Sequence, residues 1–139
     1  TLMTCATPAY LKSFGTPAYP DALKKGHRLV IYVSAESGRA FPCRCERDGE
    51  KTEIKVAHRV GVNESNAHLA AGLAGLGIIQ TFSYYARPAL DDGTLVEILK
   101  EWRPARYPFH VVYPQNRHVP QRLRVFIDWL LEGFAGKVG

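Results

Sequence analysis

The stretch from Arg59 to Phe82 constrains the fold more than any other part of the chain. Arg59-Val60-Gly61-Val62 reads as a short strand running to a helix start. Asn63-Glu64-Ser65-Asn66 supplies N-cap residues and an acidic first turn, after which Leu69, Leu73 and Leu76 recur at helical spacing. Ile78-Ile79-Gln80-Thr81-Phe82 resumes as a strand. Strand, helix and strand within about 25 residues form a βαβ unit, which joins parallel strands. The expected class is therefore α/β with some parallel pairing. The Ala/Gly-rich run Ala70 to Gly77 implies a helix lying close against its neighbour, with Gly75 and Gly77 suited to its C-terminal cap.

The flanking segments fit that class. Leu2 to Ala6 predicts a strand, stopped by Thr7-Pro8 and followed by a helical turn with Pro8 at its first position. Arg28 to Val33 is rich in β-branched residues and predicts a buried strand. Phe41 to Glu46 and Lys51 to Val56 alternate around Asp48-Gly49, a hairpin signal because the turn needs positive φ. Pro42 cannot donate to a ladder and marks this hairpin as an edge. Ser83 is placed to cap a short helix through Leu90, and Leu95 to Leu99 and Phe109 to Tyr113 predict two further strands. Pro120 opens a last helix in which Leu123, Phe126, Ile127, Leu130, Leu131 and Phe134 form one apolar stripe, ended by Gly133 and Gly136.

Composition narrows the function classes. Of 139 residues, 46% are apolar and 22% charged, which excludes a disordered or fibrous chain, and no apolar run reaches the ~20 residues of a membrane span. Thr1 to Cys5 has neither the basic nor the apolar region of a signal peptide, and Cys5, Cys43 and Cys45 are too few for a disulfide scaffold. Both observations point to the cytoplasm, with no membrane partner. The formal charge of +5 invites nucleic acid. However, residues 21–60 hold nine basic against six acidic side chains and residues 101–139 six against three, so no run is densely basic. Solvated mixed charge is the commoner meaning.

Motifs for chemistry are sparse. No nucleophile elbow, P-loop or zinc-protease motif occurs, and the glycines of Gly72 to Gly77 lie at a helix end, where a dinucleotide fingerprint would put them at a helix start. The histidines at 27, 58, 68, 110 and 118 stand at no recognisable spacing from a nucleophile. Neither catalysis nor a cofactor is therefore expected. Cys43-x-Cys45 puts two thiols on one strand face, but without a second ligand pair they read as buried structural thiols rather than a metal or redox centre. The better candidate site is Val62, Asn63, Glu64 and Ser65, where a strand end delivers polar groups beside the free amides of a helix N-terminus. Plain helix capping by Asn63 and Ser65 is the competing reading.

Several segments together resemble one family. Cys5-Ala6-Thr7-Pro8-Ala9-Tyr10-Leu11, Gly15-Thr16-Pro17, Pro20-Asp21-Ala22-Leu23 and His27-Arg28-Leu29 resemble the opening of the second regulatory subdomain of LysR-type transcriptional regulators. Val60 to Glu64, Ala70 to Ile78 and Leu90 to Val96 resemble its middle. Trp102, Val111 to Pro114, Arg117 to Pro120 and Arg124 to Leu130 resemble its end, in the same order.

The resemblance implies a periplasmic-binding-protein-like (type 2) effector domain. In it, residues 1–107 form the second subdomain and residues 108–139 return to the first through a hinge at Val112 and Tyr113. It implies a small-molecule effector, an anionic one being favoured by the helix N-terminus, held by Val62, Asn63, Glu64 and Ser65 between subdomains. Phe41 stands where the family often has tryptophan, and Val119 where it commonly has serine. The family's helix-turn-helix and the first half of subdomain one have no counterpart in this sequence, so DNA contact is expected only through such a module. The last helix is expected to lack part of its partner surface and to drive homo-oligomerisation. A solute-binding protein of the same fold is the alternative.

Overall fold

The computed structural model describes residues 1–56, 60–108, 110–113 and 120–134. Arg59, His58, Phe109, Arg117, His118, Val119 and Gly136, on which sequence expectations fall, lie outside the described residues.

Strand β1 (Leu2–Ala6) runs through the middle of the sheet. It pairs antiparallel with β6 (Ile79–Phe82) on one side, Leu2 opposite Phe82 and Cys5 opposite Ile79. On the other side it pairs antiparallel with β7 (Val96–Ile98), Thr4 opposite Ile98. Strand β2 (Val30–Tyr32) pairs in parallel with β5 (Val60–Val62). A parallel bridge between Leu29 and Ile78 joins the two ladders, with the Val30 amide on the Ile78 carbonyl at 3.0 Å and the Ile78 amide on the Arg28 carbonyl at 2.8 Å. The resulting order is β5-β2-β6-β1-β7. The βαβ unit is thus parallel as expected, but its two strands flank β2 instead of touching.

Alternation along the strands sends neighbouring side chains to opposite faces. Ala6, Ile31, Ile78 and Ile98 join one core with Tyr10 of α1 (Pro8–Phe14), Leu23, and Cys43, Cys45 and Ile54 of the edge hairpin β3 (Cys43–Arg47) and β4 (Glu50–Ile54). Cys5, Val30 and Ile79 join the other core with Ala86 and Ala89 of α3 (Ser83–Asp91). Leu69 and Ala71 of α2 (Ser65–Leu73) pack against that second core. The hairpin turns at Asp48 and Gly49, both at positive φ, as its sequence requires.

Helix α2 lies close to the sheet because of its glycines. A Cβ on Gly72 would stand 2.5 Å from Ile79 Cδ1, and one on Gly77, just past the helix, 2.5 Å from the Arg28 carbonyl oxygen. The leucine stripe contributes less than its spacing suggests. The helix ends at Leu73, Leu73 and Leu76 are exposed, and the fully buried α2 residues are His68 and Gly72.

Two further expectations need correction. Residues 110–113 form no strand, so Val112 and Tyr113 stand in irregular backbone and Val112 is 89% exposed. β-branched residues favour extended backbone, but a ladder needs a partner edge, and among the described residues none lies alongside. Ser83 is the first residue of α3 and not its cap, and its amide donates to the Thr1 carbonyl at 2.8 Å. Helix α4 (Gln121–Phe134) forms where predicted but runs through Gly133, which was expected to end it, and none of its residues is buried.

Candidate functional site

Strands β2, β5 and β6 run the same way, so their carboxyl ends share one edge of the sheet. Ligands of open α/β sheets bind in the crevice outside that edge. A cleft of about 420 Å³ lies there. Its walls are Leu29 to Tyr32 of β2 and the residue before it, the chain from Phe41 to Arg44 entering β3, Ser65 and His68 of α2, Gln80 to Phe82 of β6, Leu2, and Tyr107. A more open groove of about 470 Å³ beside the hairpin turn is bordered by charges that already pair, Arg47 with Glu101 at 3.5 Å and Arg103 with Glu97 at 2.5 Å. The first cleft, apolar with a few convergent polar groups, has the character of a small-molecule site.

Of the five residues expected to meet an effector, Phe41 and Ser65 line the cleft. Val62, Asn63 and Glu64 are not among the residues that line it. Val62 pairs with Tyr32 in the β5-β2 ladder, and the Asn63 carbonyl accepts the Tyr32 hydroxyl at 3.0 Å. Glu64 is the cap of α2, in place of the expected Asn63 or Ser65. It holds extended backbone at φ −136°, ψ 137°, and its carboxylate accepts from the Asn66 and Ala67 amides, each at 2.8 Å. Those bonds hold its carboxyl below the usual carboxylate range. The amides expected to receive an anion are therefore satisfied within the helix itself.

Sequence reasoning missed several wall residues. His68 is 3% exposed, and its Nε2 lies 2.8 Å from the Val30 carbonyl. A carbonyl only accepts, so Nε2 carries the hydrogen. Burial holds the imidazole below its usual pKa, and its ring meets Tyr32 edge to face at 5.9 Å. Gln80 bridges two elements. Its Oε1 accepts the Arg44 amide at 2.9 Å, while Nε2 donates to the Arg44 carbonyl at 2.7 Å and to Thr4 Oγ1 at 3.2 Å. The side-chain amide acts as an extra rung pairing β6 with β3. A polar residue inside the apolar run Ile78 to Phe82 was its one legible signal.

Chemically the site suits binding. Cys43 lines the cleft, but its hydrogen bond to Cys45 and its burial push its thiol far up, so it stays protonated. Burial also pushes the Cys5 thiol up to about 12. Among the described residues no group of three or more His, Cys, Asp or Glu could hold a metal ion, and no helix is long and apolar enough to cross a membrane.

Comparison with known proteins agrees with this architecture. A family profile described as LysR substrate binding domain matches residues 1–135. The HTH-type transcriptional regulator YhjC of Escherichia coli K12 is 36% identical over 130 residues, which are 94% of this chain and 43% of that protein. An HTH-type transcriptional repressor of Pseudomonas aeruginosa UCBPP-PA14 is 30% identical over 130 residues, 94% of this chain and 41% of that protein. The chain thus spans about two-fifths of the length of these relatives. The solved structure of CrgA, a LysR-type transcriptional regulator from Neisseria meningitidis, superposes with a TM-score of 0.78 at 24% identity, covering 97% of this chain and 45% of that one. The sheet order, the cleft at its carboxyl edge and the profile match over residues 1–135 together lead to one assignment: the chain belongs to the LysR substrate-binding domain family.

Proposed function

We propose that this chain is the effector-sensing part of a LysR-type transcriptional regulator. A small molecule entering the cleft shifts the balance between two arrangements of the regulatory subdomains, and a helix-turn-helix module elsewhere in the protein reads that balance on DNA. The observation that carries the proposal is the cleft itself, framed by β2, β6 and the start of α2 at the sheet's carboxyl edge. The relatives' names favour transcription over solute transport and over catalysis. Residues 1–107 form the sensing subdomain and 108–139 the return segment, with the hinge at Val112 and Tyr113. Glu64 already occupies the α2 amides, so an anionic effector would have to find its counter-charge elsewhere, and Arg44 is the formally charged residue among the described ones that line the cleft.

A thermal-shift screen of cellular metabolites tests this. A true effector stabilises the parent chain and not Ser65→Trp, whose indole fills the cleft. Equal stabilisation of both overturns the assignment of the cleft. Asn63→Ala is expected to weaken binding more than it lowers stability, since the Tyr32 hydroxyl bonds the Asn63 backbone, which the substitution keeps. The apolar stripe on α4 supports homo-oligomerisation, which a concentration-independent monomer mass would exclude.

A further inference from the structure

We infer that the cleft selects an uncharged ligand bearing a hydroxyl group, which donates to Nδ1 of His68 and accepts from a wall hydroxyl, Ser65 or Thr81; the inference rests on the proposed effector role of this cleft. All three residues line it. The Nε2 hydrogen of His68 is committed to the Val30 carbonyl at 2.8 Å, and burial favours the neutral ring, so Nδ1 presents a bare lone pair and is an acceptor only. Among the described residues no donor is bonded to it, and Ser65 Oγ and Thr81 Oγ1 are likewise without a partner. His68 is 3% and Thr81 5% exposed. Among the described residues no side-chain nitrogen or oxygen that is closed off from solvent lacks a partner. The unpartnered atoms of these two buried side chains therefore reach space outside the packed protein, and the space that both residues border is the cleft.

The three groups share one side of the cleft. Ser65 and His68 stand three residues apart on α2, neighbours on a single face of the helix. Thr81 lies two positions beyond Ile79 on β6 and so faces the same side of the sheet, the side on which Ile79 packs against Gly72 of α2. The His68 ring is fixed by its bond to Val30 and by its edge-to-face contact with Tyr32 at 5.9 Å, and the Tyr32 hydroxyl is itself tied to the Asn63 carbonyl. Nδ1 is thus held in place before any ligand arrives, which removes ordering cost from binding.

The rest of the wall decides the ligand's charge. Leu2, Leu29, Val30, Ile31 and Pro42 make it largely apolar, and among the described lining residues there is no Asp or Glu. Arg44, the formally charged one, has its guanidinium against Glu53 of β4, with Nε 3.6 Å from Oε1, and the α2 amides are taken by Glu64. A charged ligand would leave water for a wall that returns no counter-charge. A hydroxyl takes the place of water at Nδ1 without loss, whereas a group that only accepts sets lone pair against lone pair and leaves the acceptor unmatched.

The test uses four compounds built on one ring, cyclohexanol, cyclohexanone, cyclohexanecarboxylate and cyclohexylamine, titrated into the 139-residue chain by NMR. Cyclohexanol is expected to bind about ten-fold tighter than cyclohexanone, the cost of facing Nδ1 with an acceptor, and tighter than either charged compound. His68→Gln keeps a donor for the Val30 carbonyl and removes Nδ1, so it should erase the preference for alcohol over ketone while both still bind. Ser65→Ala combined with Thr81→Val removes both hydroxyls, keeps a β-branched residue on the strand, and should weaken the alcohol about three-fold. Equal or tighter binding of the ketone or of either charged compound, a preference that persists in His68→Gln, an alcohol affinity unchanged in the double variant, or no binding of cyclohexanol at tens of millimolar overturns the inference. Binding of cyclohexanol that survives Ser65→Trp instead overturns the cleft as the effector site. A charged metabolite that stabilises the parent and fails on Ser65→Trp leaves the cleft standing and removes the uncharged ligand.

Discussion

Helices α2 and α4 invert the usual relation between hydrophobic pattern and burial. Helix α4 carries the clearest apolar stripe in the chain, yet Phe126, Trp129, Leu131 and Phe134 are each more than half exposed. Helix α2 has a weak pattern of alanines, glycines and scattered leucines, yet it sits so close to β6 that Gly72 leaves no room for a methyl group beside Ile79, and Gly77, just past the helix, leaves none beside Arg28. Periodicity reports which face of a helix seeks cover and says nothing about whether cover is present. Small residues report how closely two backbones approach, and that is a property of the packed state.

Substitutions can break or sharpen this contrast. The largest effect is expected at Gly77→Ala, whose Cβ would meet the Arg28 carbonyl oxygen at 2.5 Å and its carbon at 3.0 Å. Backbone cannot swing aside, so about 3 kcal/mol should be lost in urea unfolding. An unchanged midpoint would mean that the chain after α2 does not lie against the Arg28 backbone as we place it. Gly72→Ala collides with the Ile79 side chain, which is fully buried but can rotate, and about 1–2 kcal/mol is expected.

A smaller effect should appear in the pH dependence of melting. Burial lowers the His68 pKa below 6.5, so below that value the unfolded chain binds a proton the folded chain refuses. The stability is fully present above about pH 6.5 and is lost as pH falls through that value towards the folded pKa. His68→Gln should flatten this slope, leaving the part due to His27, whose pKa burial lowers in the same direction. A slope unchanged in the variant would remove His68 from the account. The smallest effect is expected on α4. Leu131→Ala should move the melting of this chain by no more than about 0.5 kcal/mol, as at any surface position, since Leu131 is 59% exposed. A larger loss would show that α4 is covered in solution.

Much of the fold was legible because its signals are local. Pro8 marks the first helical position, Asp48-Gly49 the hairpin turn, and the alternation of strand and helix over residues 59–82 the α/β class, each depending on residues a few positions apart. The site was half legible for the same reason. The turn at Val62 to Ser65 lies where a strand ends and a helix begins, and Phe41 stands where the family often has tryptophan. Tyr32, His68, Gln80, Phe82 and Tyr107 were not singled out as wall residues, since nothing short-range distinguishes a cleft aromatic from a core one.

The amino-acid sequence alone thus determined the element types, the parallel unit, the edge hairpin and a family likeness, all carried by periodicity, turn chemistry and ordered motifs. Tertiary structure decided what spans long separations in the chain. It inserted β2 between β5 and β6, gave the α2 amides to Glu64, tied Arg44 to Gln80 across 36 positions, and gathered four rings from four segments around one cleft. Local preferences cannot choose among such arrangements, because each is set by which strands pair and how closely helix and sheet approach, and those choices exist only once the chain is packed.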